Sequence, residues 1–243
     1  MTRKKWMMMA VMMCALLIGA CGKKTDTTPS HKTVKVTQKS ELPKGVKAND
    51  WNLILVNSEH KLKQELDFKQ KIDGNVIVNS KIESALNDFV SAANKAGYKA
   101  SLVSGYRSIS YQKEVYADSI KSYENSGKSV AEAKQLTKEY VAEPGSSEHH
   151  TGLAVDMMSS NWYAKHNDLD NSSETDKGQK WLINHAVNYG FILRFPKDKE
   201  KSTKIDYETW HFRYVGKSNA KYIVKHHLSL EEYIDLLNKA GKN

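Results

Sequence analysis

At 243 residues, 40% hydrophobic and 27% charged, the chain is long enough for one domain with a real core. Nothing after Cys21 is apolar for long enough to span a membrane. The formal net charge is +9, from 37 basic and 28 acidic residues; this suits work beside an anionic envelope, and with no basic helix or aromatic-basic strand motif it argues against a nucleic-acid partner.

Residues 1–20 read as a leader. Arg3, Lys4 and Lys5 precede an apolar run from Trp6 to Ala20, shorter than the roughly 20 residues of a spanning helix. Without those three basic residues, 34 basic side chains face 28 acidic ones, a net charge of +6. The run ends in Ile18-Gly19-Ala20-Cys21. This resembles a bacterial lipobox, in which Cys21 would be lipidated and become the mature N-terminus facing the cell wall. The alternative is an ordinary secretory leader with an incidental cysteine. Cys14 would leave with the leader, so the mature chain has no internal disulfide and depends on a core or a bound metal.

Residues 21–50, rich in Lys, Thr, Ser and Asp with Pro29 and Pro43, read as a flexible tether, and residues 51–243 as one folded domain. Ser80 and Glu83 have capping-box spacing, and Ile82, Leu86, Phe89, Val90 and Ala93 share one face of a helix stopped by Gly97. A strand is expected over 98–104 and a helix over 110–123. Ser129 and Glu132 open another helix, to about residue 140. Residues 153–157 read as a short strand, 176–189 as a helix ended by Gly190, 191–195 and 207–215 as strands. Ser229 opens a C-terminal helix. These elements do not alternate regularly enough for a parallel doubly wound sheet, so the expected class is α+β.

Two polar groups stand out: Ser147-Glu148-His149-His150-Thr151-Gly152-Leu153-Ala154-Val155-Asp156, and Glu208-Thr209-Trp210-His211. Two imidazoles and a carboxylate would make a three-ligand zinc site with one position open to water, and Glu208 is a spare carboxylate to take the proton of that water. Neither group convinces alone: a polar loop before a strand and a surface Glu beside a core His would explain each. His149 and Asp156, seven apart, would face opposite sides of an unbroken strand, and Gly152 offers the break. Composition does not choose between His149 and His150. The chain lacks His-Glu-x-x-His, and His31, His60, His166, His185, His226 and His227 read as solvated or packed. Arg107, after the turn Ser104-Gly105-Tyr106, offers a guanidinium to a substrate carboxylate or an oxyanion.

Together, Ser104-Gly105-Tyr106-Arg107-Ser108 with Gln112, Glu143 to His149, Gly152 to Asp156, and Glu208 to Gly216 closely resemble VanY-type D-alanyl-D-alanine carboxypeptidases, a family that includes L,D-carboxypeptidases. The resemblance covers about residues 51–237. It implies an α+β fold with a central antiparallel sheet and flanking helices, shared with hedgehog-type peptidases. It assigns zinc to His149, Asp156 and His211, which chooses His149 over His150. It makes Glu208 the general base and later acid, and Arg107 the oxyanion's partner. Ser147, Gln112, Tyr106 and Trp210 become substrate-pocket residues. Thr209 departs from the Pro often found there in relatives. The implied activity is removal of the terminal D-alanine from peptidoglycan stem peptides by a lipid-anchored monomer. The rivals are an L,D-carboxypeptidase acting on tetrapeptides, an endopeptidase of cross-links, and a cell-wall binding module that catalyses nothing.

Overall fold

The computed structural model describes residues 41–243; the expected leader, Cys21 and most of the expected tether lie outside them. The end of that tether departs from expectation. Val46 is buried with Leu53, Ile192, Val215 and Leu237, and the Ala48 N–H donates to the Lys242 carbonyl at 2.7 Å. The folded body therefore includes residues from Glu41 onward rather than from Trp51. Val46, with Leu42 and Ala48 beside it, joins the apolar cluster that also contains Leu230, Tyr233 and Leu237 of the C-terminal helix, although the segment is polar overall.

The larger sheet is antiparallel. Its strands are β3 (Ala100–Ser104), β4 (Ala154–Ser159), β5 (Phe191–Leu193) and β6 (His211–Tyr214), in the order β3-β4-β6-β5. A separate hairpin joins β1 (Gln70–Asp73) to β2 (Val76–Asn79). The helices are α1 (Glu83–Lys95), α2 (Ile109–Asn125), α3 (Val130–Tyr140), α4 (Ser160–His166), α5 (Lys177–His185), α6 (Glu200–Thr203), α7 (Lys217–Lys225) and α8 (Leu230–Lys239). This is the expected α+β class.

Strand β4 is buried along its whole length because both faces are covered. Val155 and Met157 join Phe89, Leu182 and Phe212 in the main core, while Met158 packs with Trp162 and Trp210 on the other side. Phe89, delivered by the Leu86-Phe89-Ala93 face of α1, stacks on Tyr189 at 5.2 Å and meets Phe212 edge-on at 5.8 Å. Full burial of such a ring is worth roughly 1.5–3 kcal/mol, so this aromatic cluster fixes α1 against the sheet.

Several elements differ from expectation. Asn79, not Ser80, caps the first helix: its side chain accepts from the Lys81 N–H, and residues 80–82 form a tight turn before α1. The expected 176–189 helix ends as α5 at His185 and continues as a 3-10 turn to Tyr189. The expected 207–215 strand shrinks to β6, since Glu208 N–H donates to Phe195 O and Thr209 N–H to the Asn171 side chain instead of to a strand. The capping boxes at Ser129–Glu132 and Ser229–Glu232 are both formed.

Candidate metal centre

Register brings the two halves together. Asp156 on β4 lies directly opposite His211 on β6, and residues opposite each other on antiparallel strands project from the same face. Their nearest side-chain atoms, His211 Nδ1 and Asp156 Oδ1, are 3.3 Å apart. His149 comes from outside the sheet, on a 3-10 turn over Glu148–Thr151 that ends at Gly152 with φ 64°. That left-handed residue turns the chain into β4, and a Cβ there would meet Asn79 N and the Phe68 ring at 2.8 Å. The sequence therefore breaks the seven-residue spacing at its glycine, and His149 Nε2 ends 3.3 Å from Asp156 Oδ2.

The backbone settles which neighbouring imidazole faces the centre. The Gly105 carbonyl accepts from His149 Nδ1 at 2.6 Å, leaving the Nε2 lone pair inward. A side chain at position 105 would run into the Ile77 carbonyl, so glycine is what permits this close approach. His150 has both nitrogens engaged: Nε2 accepts from the Gly145 N–H at 3.1 Å, and Nδ1 donates to the Arg107 carbonyl at 2.8 Å. His150 is a strut between three loops.

His149, Asp156 and His211 offer one ligand atom each within 4.8 Å of one another, all buried. Two imidazole nitrogens and a carboxylate suit zinc, and Asp156 Oδ1 is buried without a hydrogen-bond partner. Burial and the Arg107 charge lower His149 to about 4, which keeps it neutral near pH 7. Burial would raise Asp156, but the two neighbouring imidazoles and the Arg107 guanidinium, which donates to Oδ2, hold its carboxyl well below the usual range. Burial would lower His211 as well, yet the carboxylates of Asp156, Glu148 and Glu208 push it up to about 9. A metal at Nδ1 must displace that proton.

Glu208 is buried, with Oε2 3.7 Å from His211 Nδ1. Burial raises it to about 8, against the opposing pull of His211. Arg107 sits across the centre, with Nη2 2.9 Å from both His149 Nε2 and Asp156 Oδ2. It thus satisfies lone pairs that a cation would take. Gln112 holds the guanidinium from behind, accepting from Nη1 at 3.2 Å and donating to Ala142 O at 2.8 Å.

These groups line a cleft of about 420 Å³ that also holds Ser147 and Trp210. Ser147 caps the His149 turn, and Trp210 packs against Met158 and Trp162. Tyr106 is not brought to the cleft: its hydroxyl donates to Glu65 at 3.1 Å and its ring meets Phe68 edge-on. Sequence reasoning passed over Glu148, Arg194 and Arg213. Glu148 Oε1 accepts from Arg194 Nε at 2.8 Å and Arg213 Nη1 at 2.6 Å, all three side chains buried. Their separations of 46 and 65 residues leave no local signal, although Glu148 lies inside the quoted motif.

Residues 75–217, more than half of the chain, match the family described as VanY, D-alanyl-D-alanine carboxypeptidase. A D-alanyl-D-alanine carboxypeptidase from Enterococcus faecalis is 33% identical over 187 residues, 76% of this chain and 66% of that protein. The chain spans less than two thirds of the length of curated relatives it matches, 59% of one and 66% of another. Among solved structures, a mutant of the vancomycin resistance D,D-pentapeptidase VanY from a VanB-type cassette, in complex with Zn(II), superposes with a TM-score of 0.67. It is 33% identical, and the match covers 76% of this chain and 99% of that one. The LdcB LD-carboxypeptidase superposes with a TM-score of 0.59 at 35% identity, covering 76% and 86%. The chain belongs to the VanY D-alanyl-D-alanine carboxypeptidase family.

Proposed function

We propose that this protein is a zinc-dependent D,D-carboxypeptidase that removes the terminal D-alanine from peptidoglycan stem peptides. The observation that carries this reading is the convergence of His149, Asp156 and His211 in a cleft that also holds a buried spare carboxylate, Glu208, and a guanidinium, Arg107. Binding alone requires neither a proton acceptor nor an oxyanion partner, so the pair favours an enzyme over a binding module.

The three ligands would hold zinc, which when bound supplies a Lewis acid and lowers the pKa of water towards about 7. Glu208 takes a proton from the attacking water. Its burial, which raises its proton affinity, matches a group that must accept and then release a proton near neutral pH. The water oxygen bonds to the penultimate carbonyl carbon, and Arg107 stabilises the negative charge that develops on the carbonyl oxygen. The C–N bond then breaks, and Glu208 passes its proton to the departing D-alanine amine. Gln112, bonded to Arg107 and to Ala142 O, keeps the guanidinium at the cleft wall. Phe195 and Trp210 make part of that wall apolar and limit competing water.

The assay uses the zinc-loaded protein with pentapeptide and tetrapeptide muropeptides in separate reactions, products identified by mass. D-alanine released from the pentapeptide is the expected result. Release from the tetrapeptide alone would favour the L,D reading, which the likeness to LdcB supports; cleavage of neither would leave a binding module.

The basic n-region, short apolar run and Ile18-Gly19-Ala20-Cys21 support a chain lipidated on Cys21 and held on the outer face of the membrane. Metabolic labelling with a radioactive fatty acid should mark the parent and not Cys21→Ala; equal labelling of both would refute the anchor.

A further inference from the structure

Behind the metal centre, two buried polar atoms face each other without partners. Glu148 Oε2 and His211 Nε2 are both buried, neither has a hydrogen bond, and they lie 3.5 Å apart. A buried carboxylate oxygen and a buried ring nitrogen are both costly to leave unpaired, so a small rotation that joins them is favourable. The direction of that bond is fixed by the rest of the network. Arg194 and Arg213 both donate to Oε1, which leaves Oε2 as the oxygen turned to His211. Arg213 is itself anchored by donation to the Ile54 carbonyl at 2.8 Å, and Arg194 by two bonds to Glu231 on α8.

We propose that Glu148 is a positioning residue, accepting a hydrogen bond from His211 Nε2–H and so fixing the Nδ1 lone pair on the metal. This rests on the zinc reading above. A carboxylate that accepts from the far nitrogen of a ligating imidazole sets both tautomer and ring orientation. His149 receives the same treatment from the Gly105 carbonyl, so each imidazole ligand has its own acceptor behind it. One comes from backbone and the other from a charged side chain. In Glu148→Gln the amide can present N–H groups where Oε2 stood, which favours the wrong His211 tautomer.

The test uses the full folded protein loaded with zinc and labelled with ¹⁵N histidine. Nitrogen chemical shifts should place the proton of His211 on Nε2 and the metal on Nδ1; metal on Nε2 would overturn the proposal without any variant. By chelator competition, Glu148→Gln should bind zinc about 10–100-fold more weakly than the parent. Glu231→Gln, which loosens Arg194 and leaves Glu148 intact, should lower stability with zinc affinity within about threefold of the parent, well short of that loss. A folded Glu148→Gln protein with parental zinc affinity, or equal losses in the two variants, would reduce Glu148 to a structural ion pair. A parent that binds no zinc would instead sink the functional reading itself, a result distinguishable from both.

Discussion

The two walls of the cleft are built differently. The sheet wall, with Asp156, His211 and the His149 turn, is buried, and its side chains are held by backbone carbonyls and by strand register. The helical wall, from α2 and α3, presents Tyr111 and Tyr140 to solvent at 53% and 41% exposure, and both line the cleft. The contrast teaches a division of labour. Groups that must converge within a few ångströms sit where packing removes their freedom, and groups that only need to touch a substrate sit on an open edge.

Substitutions on the sheet wall should therefore abolish chemistry or folding, and those on the helical wall should alter binding. The largest effect belongs to His211→Ala. Zinc content by atomic absorption should fall well below one per chain, and turnover by on the order of 10³-fold or more. Unchanged metal stoichiometry would remove His211 from the ligand set. Glu208→Gln comes next: kcat lower by about 10²–10⁴-fold with zinc retained. Near-parental turnover in that variant would take Glu208 out of the proton transfer. Gly152→Ala tests the wall's backbone, since φ 64° and contacts at 2.8 Å penalise a side chain. Denaturant titration should show a loss of about 1–3 kcal/mol, and a gain would mean that the turn is not strained by a Cβ. The smallest effect is expected of Tyr111→Ala. Losing about 1 kcal/mol of contact should raise KM about fivefold with kcat nearly unchanged. A kcat collapse there would erase the distinction between the walls.

Legibility followed the range of the interaction. The capping boxes of α3 and α8 are local, three residues across, and the structure contains both. The strand run around Val155 and the amphipathic face Leu86-Phe89-Ala93 were equally readable. The β1–β2 hairpin, α4 and α7 were not, because β1 has no buried residue to set a pattern and neither α4 nor α7 opens on a side-chain cap. The folded start near Glu41 was hidden for a different reason: Leu42, Val46 and Ala48 are scattered among polar residues, and Val46 is buried only through distant partners such as Val215 and Leu237.

At the site, residue types were readable and partners were not. His149 and His150 are indistinguishable by composition. What separates them is which carbonyls and N–H groups surround each ring, namely Gly105 O for the first, Arg107 O and Gly145 N for the second. The buried Glu148–Arg194–Arg213 cluster was missed because its partners come from three distant segments, and charged residues are seldom buried unless paired. Tyr106 was misplaced because neighbours in a motif need not face the same way: Arg107 turns to the centre, and Tyr106 to Glu65 and Phe68.

Zinc titration into metal-free protein, with D-alanine release from a pentapeptide measured on the same samples, tests the central claim most directly. Activity should rise in proportion to bound zinc and level off at one ion per chain. Full activity without metal, or one bound zinc with no D-alanine released, would contradict it.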